Sequence, residues 1–223
     1  MRQIEAASTL LFDLDGTLLD TAPDLTAAVN HARKKLLSLP PVRDDALRPL
    51  VAQGTGAMVA FALDGATDIV LADDFRHVML DFYSRHLADK TRPYEGIPEL
   101  LDYLDVEKSP WGVVTNKMSH FAIPILDQLH LSSRSACIVC ADMAAQAKPA
   151  PDTLLLAAKR LGLSPEKCAY VGDAETDMRA AKNAGMLAIA AEWGYLSDED
   201  KVDNWPLDLR FSTPRELHQW IKQ

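Results

Sequence analysis

Leu10-Leu11-Phe12-Asp13-Leu14-Asp15-Gly16-Thr17-Leu18-Leu19-Asp20-Thr21 is the stretch from which the rest of the chain can be understood. It opens as a short apolar run, Thr9 to Phe12, which predicts a buried strand. Two carboxylates follow, two residues apart. Side chains at i and i+2 of an extended chain point to the same side, so Asp13 and Asp15 project together from the strand end. Carboxylates that close repel unless a proton or a cation separates them. A hard, oxygen-binding cation such as Mg²⁺ resolves that repulsion. Gly16 lets the backbone turn tightly, and Thr17 adds a hydroxyl at the rim.

The bulk of the chain sets limits on what surrounds this stretch. Its 223 residues, 48% of them hydrophobic, support one sizeable core, or a core and a small second domain. Lys and Arg total 23 against 32 Asp and Glu, a net charge of -9. That balance argues against non-specific nucleic-acid binding, which requires basic surface. Any phosphate site must therefore carry its own local positive charge. No apolar run reaches the roughly 20 residues of a membrane span. Met1-Arg2-Gln3-Ile4-Glu5 leads straight into the first strand without a signal-peptide core. A soluble, cytoplasmic protein, monomer or homodimer, is the expectation. Cys137 and Cys140 have redox-motif spacing but lie on one apolar run, where a spacing of three puts their sulfurs on opposite faces. With Cys168 they read as small core residues. The histidines show no paired-ligand spacing.

Downstream, the period changes. Thr21 reads as a helix cap and Pro23 as a first-turn residue. Leu25, Val29, Ala32 and Leu36 then recur at helical spacing until Pro40-Pro41. Further helices are predicted over 44–52, over 57–63 after the turn Gln53-Gly54-Thr55-Gly56, and over 73–87. No strand signal appears before Arg92. From there strands alternate with helices: strands at 111–115, 137–140, 168–171, 187–191 and 209–211, helices at 99–104, 119–129, 151–161, 175–184 and 215–221. Gly162 and Gly185 stand just past helix ends. The fold class is α/β: a Rossmann-like parallel sheet with helices on both faces, and a small all-helical cap inserted after the first strand. The expected domains are a core of 1–18 and 92–223 and a cap of 19–91.

Sites in parallel sheets lie at the carboxyl ends of the strands. Those ends are where the polar residues of this chain gather. The first strand ends in Asp13 and Asp15, and the 111–115 strand in Thr115-Asn116-Lys117. Lys148 follows the 137–140 strand, and Asp173 and Asp177 follow the 168–171 strand.

The nine residues from Asp13 to Thr21, together with Thr115, Lys148, Asp173 and Asp177 in that order, resemble the four motifs of the haloacid dehalogenase-like phosphatase superfamily. The match covers the whole predicted core. It implies that Asp13 is the nucleophile, forming an aspartyl-phosphate, and that Asp15 is the general acid and then the base. It implies that Thr115, Asn116 and Lys148 contact the phosphoryl group. Mg²⁺ would be bound by Asp13, Asp173 and the backbone carbonyl of Asp15, with Asp177 orienting Lys148 or a metal-bound water. Lys117 reads equally well as a solvated side chain, and Asp20 as structural. The turn at Gln53, Gly54, Thr55 and Gly56 resembles the glycine-rich cap turn of phosphoglycolate phosphatases and implies a role in specificity. The segments Trp111 to Lys117, Trp193 to Leu196 and Asn204-Trp205 are also similar to phosphatases of N-acetylmuramic acid 6-phosphate. One departure is Met118, where a proline often follows Thr-Asn-Lys. The resemblance thus implies Mg²⁺-dependent hydrolysis of a small phosphorylated metabolite, phosphoglycolate or a sugar phosphate. A phosphomutase would share the core. A phospho-acceptor signalling domain would also present an Asp, a Thr and a Lys at strand ends, but it would have no use for Asp15.

Overall fold

The computed structural model describes residues 9–65, 68–197 and 199–223. The N-terminal segment read above as leading into the first strand lies outside them.

The first strand, β1 (Thr9–Phe12), is buried along its whole length. An apolar strand buried on both faces belongs in the middle of a parallel sheet, and that is its position. The sheet has six strands, in the order β5 (Cys137–Val139), β4 (Trp111–Val114), β1, β6 (Cys168–Gly172), β7 (Leu187–Ala191) and β8 (Leu209–Phe211). Each pairing is parallel; Leu10 stands opposite Trp111 on one side and Ala169 on the other. Alternate residues feed opposite faces. Leu11, Val139, Tyr170 and Ala188 pack with Leu154 and Ala157 of α7 (Asp152–Leu161) and Met178 and Ala181 of α8 (Glu175–Ala184). Phe12, Val113, Val171 and Ile189, of the other parity, are buried as well. The remaining helices of this unit are α5 (Ile97–Val106), α6 (Ser119–Gln128) and α9 (Pro214–Ile221), each with its own buried apolar stripe. Helices α7 and α8 stop at Gly162 and Gly185, both in the left-handed conformation that closes a helix end.

The chain divides into two compact units, Met1–Leu19 with Pro93–Gln223, and Asp20–Arg92. It passes from one to the other within two-residue strands, β2 (Leu19–Asp20) and β3 (Arg92–Pro93), which the apolar pattern did not announce. On the sheet-bearing side, Tyr94 N donates to Leu18 O at 3.2 Å.

The second unit is helical: α1 (Ala22–Ala32), α2 (Asp44–Val51), α3 (Thr55–Ala62) and α4 (Ile69–Ser84). Its two ends are tied by Asp24, 2% exposed. That carboxylate accepts hydrogen bonds from Thr91 N at 2.8 Å, Thr91 Oγ1 at 2.7 Å and Lys90 N at 3.0 Å. Arg33, also buried, donates to Pro40 O and Ala62 O.

Several helix bounds differ from the sequence expectation, α3 and α5 each beginning two residues early, and two differences have a visible local form. The expected helix through Leu36 changes at Ala32 into a π-helical turn, Arg33–Leu37, and ends at Ser38 with φ of 54°. The helix expected from Asp73 begins at Ile69, because Asp68 caps it by accepting from Val70 N and Leu71 N at 2.9 and 3.3 Å. Thr21 occupies the N-cap position of α1, yet its hydroxyl makes no cap hydrogen bond. Asp20 instead forms a two-pronged pair with Arg48 at 2.8 and 2.9 Å.

Candidate active site

Asp13 is the first residue beyond β1, and its N–H still bonds to Val171 O of the neighbouring strand at 2.8 Å. Its carboxylate is therefore aimed by the sheet. The loop that follows is closed by its own backbone, Gly16 N to Leu19 O and Leu19 N to Leu14 O, each at 2.9 Å. Gly16 has φ of +83°, and a Cβ there would lie 2.1 Å from Asp173 Oδ2. Gly194 is equally constrained, since its Cβ would stand 2.2 Å from Asp173 Cβ. Two glycines thus let two backbone segments close around one carboxylate. Asp173 accepts from Thr17 Oγ1 at 3.1 Å and from Tyr195 N at 2.8 Å, and Trp193 Nε1 donates to Thr17 O at 3.0 Å. The segment Trp193–Tyr195 after β7 therefore buttresses the first motif.

Lys148 arrives from the loop between β5 and α7. Its side chain is 2% exposed, and Nζ lies 2.9 Å from Asp13 Oδ1 and 2.7 Å from Asp177 Oδ1. A buried ammonium needs such partners. A third is the Tyr170 hydroxyl at 2.7 Å, which itself donates to Val114 O at 2.6 Å. Asp177 also reaches back from the first turn of α8 to accept from Ala174 N at 3.0 Å, fixing the helix start. Asn116 clamps the backbone of Lys148, donating to Lys148 O at 3.0 Å and accepting from Lys148 N at 2.9 Å. Thr115, 1% exposed, accepts from Lys117 N at 3.1 Å through its hydroxyl.

The structure thus brings Asp13, Asp15, Thr115, Asn116, Lys148, Asp173 and Asp177 together at one edge of the sheet. Asn116, an exposed residue, is engaged through its amide with the Lys148 backbone. Sequence reasoning missed two participants. Tyr170 entered the sequence reading only as part of the 168–171 strand; its signal was a hydroxyl on a buried strand, which needs a partner. Lys117 is not solvated: its ammonium lies 3.0 Å from Asp15 Oδ1, and the side chain is 8% exposed. Gln53 to Gly56 belong to the helical unit, where Gly54, with φ of +86°, leads into α3.

The charges leave the site short of positive groups. The Asp13 carboxyl is pushed up to about 6, chiefly by burial, with Asp177 and Asp15 adding and Lys148 opposing. Asp173 is held well above the usual carboxylate range by burial and then by Asp177 and Asp13. Burial works against the Lys148 ammonium, but Asp13 and Asp177 overcome it and raise its pKa. Carboxylate oxygens of Asp13, Asp173 and Asp177 lie within 4.8 Å of one another. A buried, all-oxygen set of this kind fits a hard divalent cation. Asp177 stands in this cluster where the expected set had Asp15, whose contribution was assigned to its backbone carbonyl.

The comparisons with known proteins agree with this geometry. Residues 10–191 match the sequence profile described as haloacid dehalogenase-like hydrolase. The chain belongs to that family. Among haloacid dehalogenase-like relatives, the N-acetylmuramic acid 6-phosphate phosphatase of Pseudomonas aeruginosa is 41% identical over 208 residues, 93% of this chain and 92% of its own. The phosphoglycolate phosphatase of Xanthomonas campestris pv. campestris is 40% identical over 211 residues, 93% of each chain. A crystal structure of a predicted phosphoglycolate phosphatase from Haemophilus somnus 129pt superposes with a TM-score of 0.85 at 25% identity, covering 97% of this chain and 98% of that one. Among the described residues no helix is long and apolar enough to cross a membrane.

Proposed function

We propose that the protein is a Mg²⁺-dependent phosphomonoesterase that works through a phosphorylated Asp13. The observation that carries the reading is the pairing of Asp13 with Lys148 at 2.9 Å inside an acidic cluster, with a second carboxylate, Asp15, two residues away. An Asp13 oxygen attacks phosphorus as the ester P–O bond breaks, and Asp15 gives its proton to the departing alkoxide. Asp15 then takes a proton from the water that cleaves the aspartyl-phosphate. Lys148 offsets charge that develops on the transferring group, and Thr115 lines the same edge. Asp13 and Asp173 would hold Mg²⁺, which supplies further charge neutralisation to the phosphoryl oxygens. Asp15 also separates this reading from a phospho-acceptor signalling domain, which keeps its phosphoryl group.

We assign the substrate to small phosphorylated carboxylic acids. Phosphoglycolate and N-acetylmuramic acid 6-phosphate, the compounds named for the relatives, both denote an acid bearing a phosphate ester. The helical unit, inserted directly after the Asp13 motif, acts in this reading as a cap that chooses the leaving group, with Gln53, Gly54, Thr55 and Gly56 contributing. The three unbridged cysteines fit a reducing, cytoplasmic setting. Phosphate release from a panel with Mg²⁺ tests the proposal: 2-phosphoglycolate, N-acetylmuramic acid 6-phosphate, several hexose phosphates and p-nitrophenyl phosphate. The expected result is turnover of at least one acid phosphate, lowered about 10³-fold or more in Asp13→Asn. A soluble Asp13→Asn protein with full, metal-dependent activity sinks the mechanism. A Gln53→Ala change that alters kcat/KM between the two acids supports the cap assignment, and uniform behaviour across the panel removes it.

A further inference from the structure

Lys117 Nζ lies 3.0 Å from Asp15 Oδ1 and 3.3 Å from Oδ2. A lysine serving only solubility extends its ammonium into water. This one is folded back over a carboxylate, with 8% of its side chain exposed. Its backbone is pinned on both sides. The Lys117 N–H donates to Thr115 Oγ1 at 3.1 Å, and its carbonyl accepts from Ala141 N at 3.3 Å. The root of the side chain is thus fixed, and the ammonium returns to one place. The other buried lysine of the site, Lys148, is engaged with Asp13 and Asp177. Each carboxylate of the Asp13-Leu14-Asp15 pair therefore has its own ammonium, brought from a different strand end. The carboxylates that gather as a cation cluster are Asp13, Asp173 and Asp177, while Asp15 is turned to Lys117.

We propose that Lys117 is a positioning residue: it holds the Asp15 carboxyl apart from the cluster, at the place from which Asp15 hands a proton to the leaving oxygen. This rests on the phosphomonoesterase reading. Removing the ammonium releases Asp15 to other rotamers, and the loss falls on the one event that needs Asp15 in place. A lysine that instead bound the transferring phosphoryl group would matter equally for every ester.

The two roles separate on leaving groups of similar shape and different basicity. p-Nitrophenolate departs without a proton, whereas phenolate needs one. In Lys117→Met, kcat on phenyl phosphate is expected to fall at least about tenfold further than kcat on p-nitrophenyl phosphate, a part of the roughly 10²–10⁴-fold ascribed to a general acid itself. Lys117→Arg, which keeps a cation over Asp15, should recover most of the excess loss. Asp15→Asn and Lys117→Met should be non-additive on phenyl phosphate. Parallel losses on the two esters, or an Arg variant no better than Met, overturn the assignment while leaving the phosphatase reading intact. A wild-type protein that hydrolyses neither these esters nor any phosphate of the panel above sinks that reading, and this inference with it.

Discussion

At the scale of the residue, the site is a chain of shared partners. Asp13, Asp177 and the Tyr170 hydroxyl converge on Lys148, and Tyr170 donates a hydrogen bond to Val114 O. Each member orients the next, so a change at one is felt at Asp13. Tyr170→Phe removes a hydroxyl that bridges a buried ammonium and a buried carbonyl. We expect a loss of about 1–3 kcal/mol in stability, read by urea unfolding, and a lower kcat with KM nearly unchanged, read by steady-state kinetics. Activity equal to wild type would show that Lys148 is held well enough without it. Asp13, Asp15, Thr115 and Asp173 could be singled out in the sequence because each stands at the end of a strand whose apolar run is visible; Lys148, well past β5, was singled out by the motif resemblance. Tyr170 and Lys117 were not. Their partners, Lys148 and Asp15, are distant in sequence, and only the tertiary structure brings the pairs within hydrogen-bonding distance.

At the scale of the element, what the sequence revealed depended on where burial lay. Helix α8 was read correctly because its buried face repeats and Gly185 ends it. The start of α4 was hidden, since Ile69 and Val70 are 77% and 70% exposed and carry no amphipathic signal. The mark that remained was Asp68, a cap residue. Within the helical unit, Asp24 gathers donors from Lys90 and Thr91. Hydrogen bonds to a buried carboxylate are among the stronger ones, so Asp24→Ala should destabilise by about 2–3 kcal/mol, measured by chemical denaturation. A loss under about 0.5 kcal/mol would mean that other packing closes this unit. The core strands make a separate prediction. Burial raises the thiols of Cys137 and Cys140 to about 11 and that of Cys168 also upward. The thiolate is the reactive form. Native protein at neutral pH should therefore resist a thiol-disulfide reagent for hours, and all three cysteines should react at once in denaturant. Rapid labelling of the folded chain would contradict the burial.

At the scale of the whole molecule, the acidic cluster ties stability to pH and to cations. Asp13, near 6, and Asp173, well above its usual range, hold protons in the folded state that the unfolded chain has released. A raised carboxyl favours folding below its unfolded value, and that contribution is lost as pH rises through the folded one. For Asp13 the window runs from the ordinary carboxylate range to about 6. Above it, the charged cluster opposes folding unless a cation is bound, and a cation competes with protons for the same oxygens. Mg²⁺ should thus raise the melting temperature at pH 8 by about 3 °C or more, and by distinctly less at pH 5, relative to EDTA. Equal shifts at the two pH values would detach the cation from Asp13 and Asp173.

The hydrogen bond from Tyr94 to Leu18 has a consequence on a longer timescale. The chain departs for the helical unit just after one of these residues and returns just before the other, so the departure and return points meet at a seam. Anything spliced there leaves the six-stranded sheet and its ring of acids and lysines uninterrupted. Under the proposed function, a lineage can therefore rewrite which alcohol it releases by changing one contiguous cassette, while the machinery that breaks the P–O bond is inherited untouched.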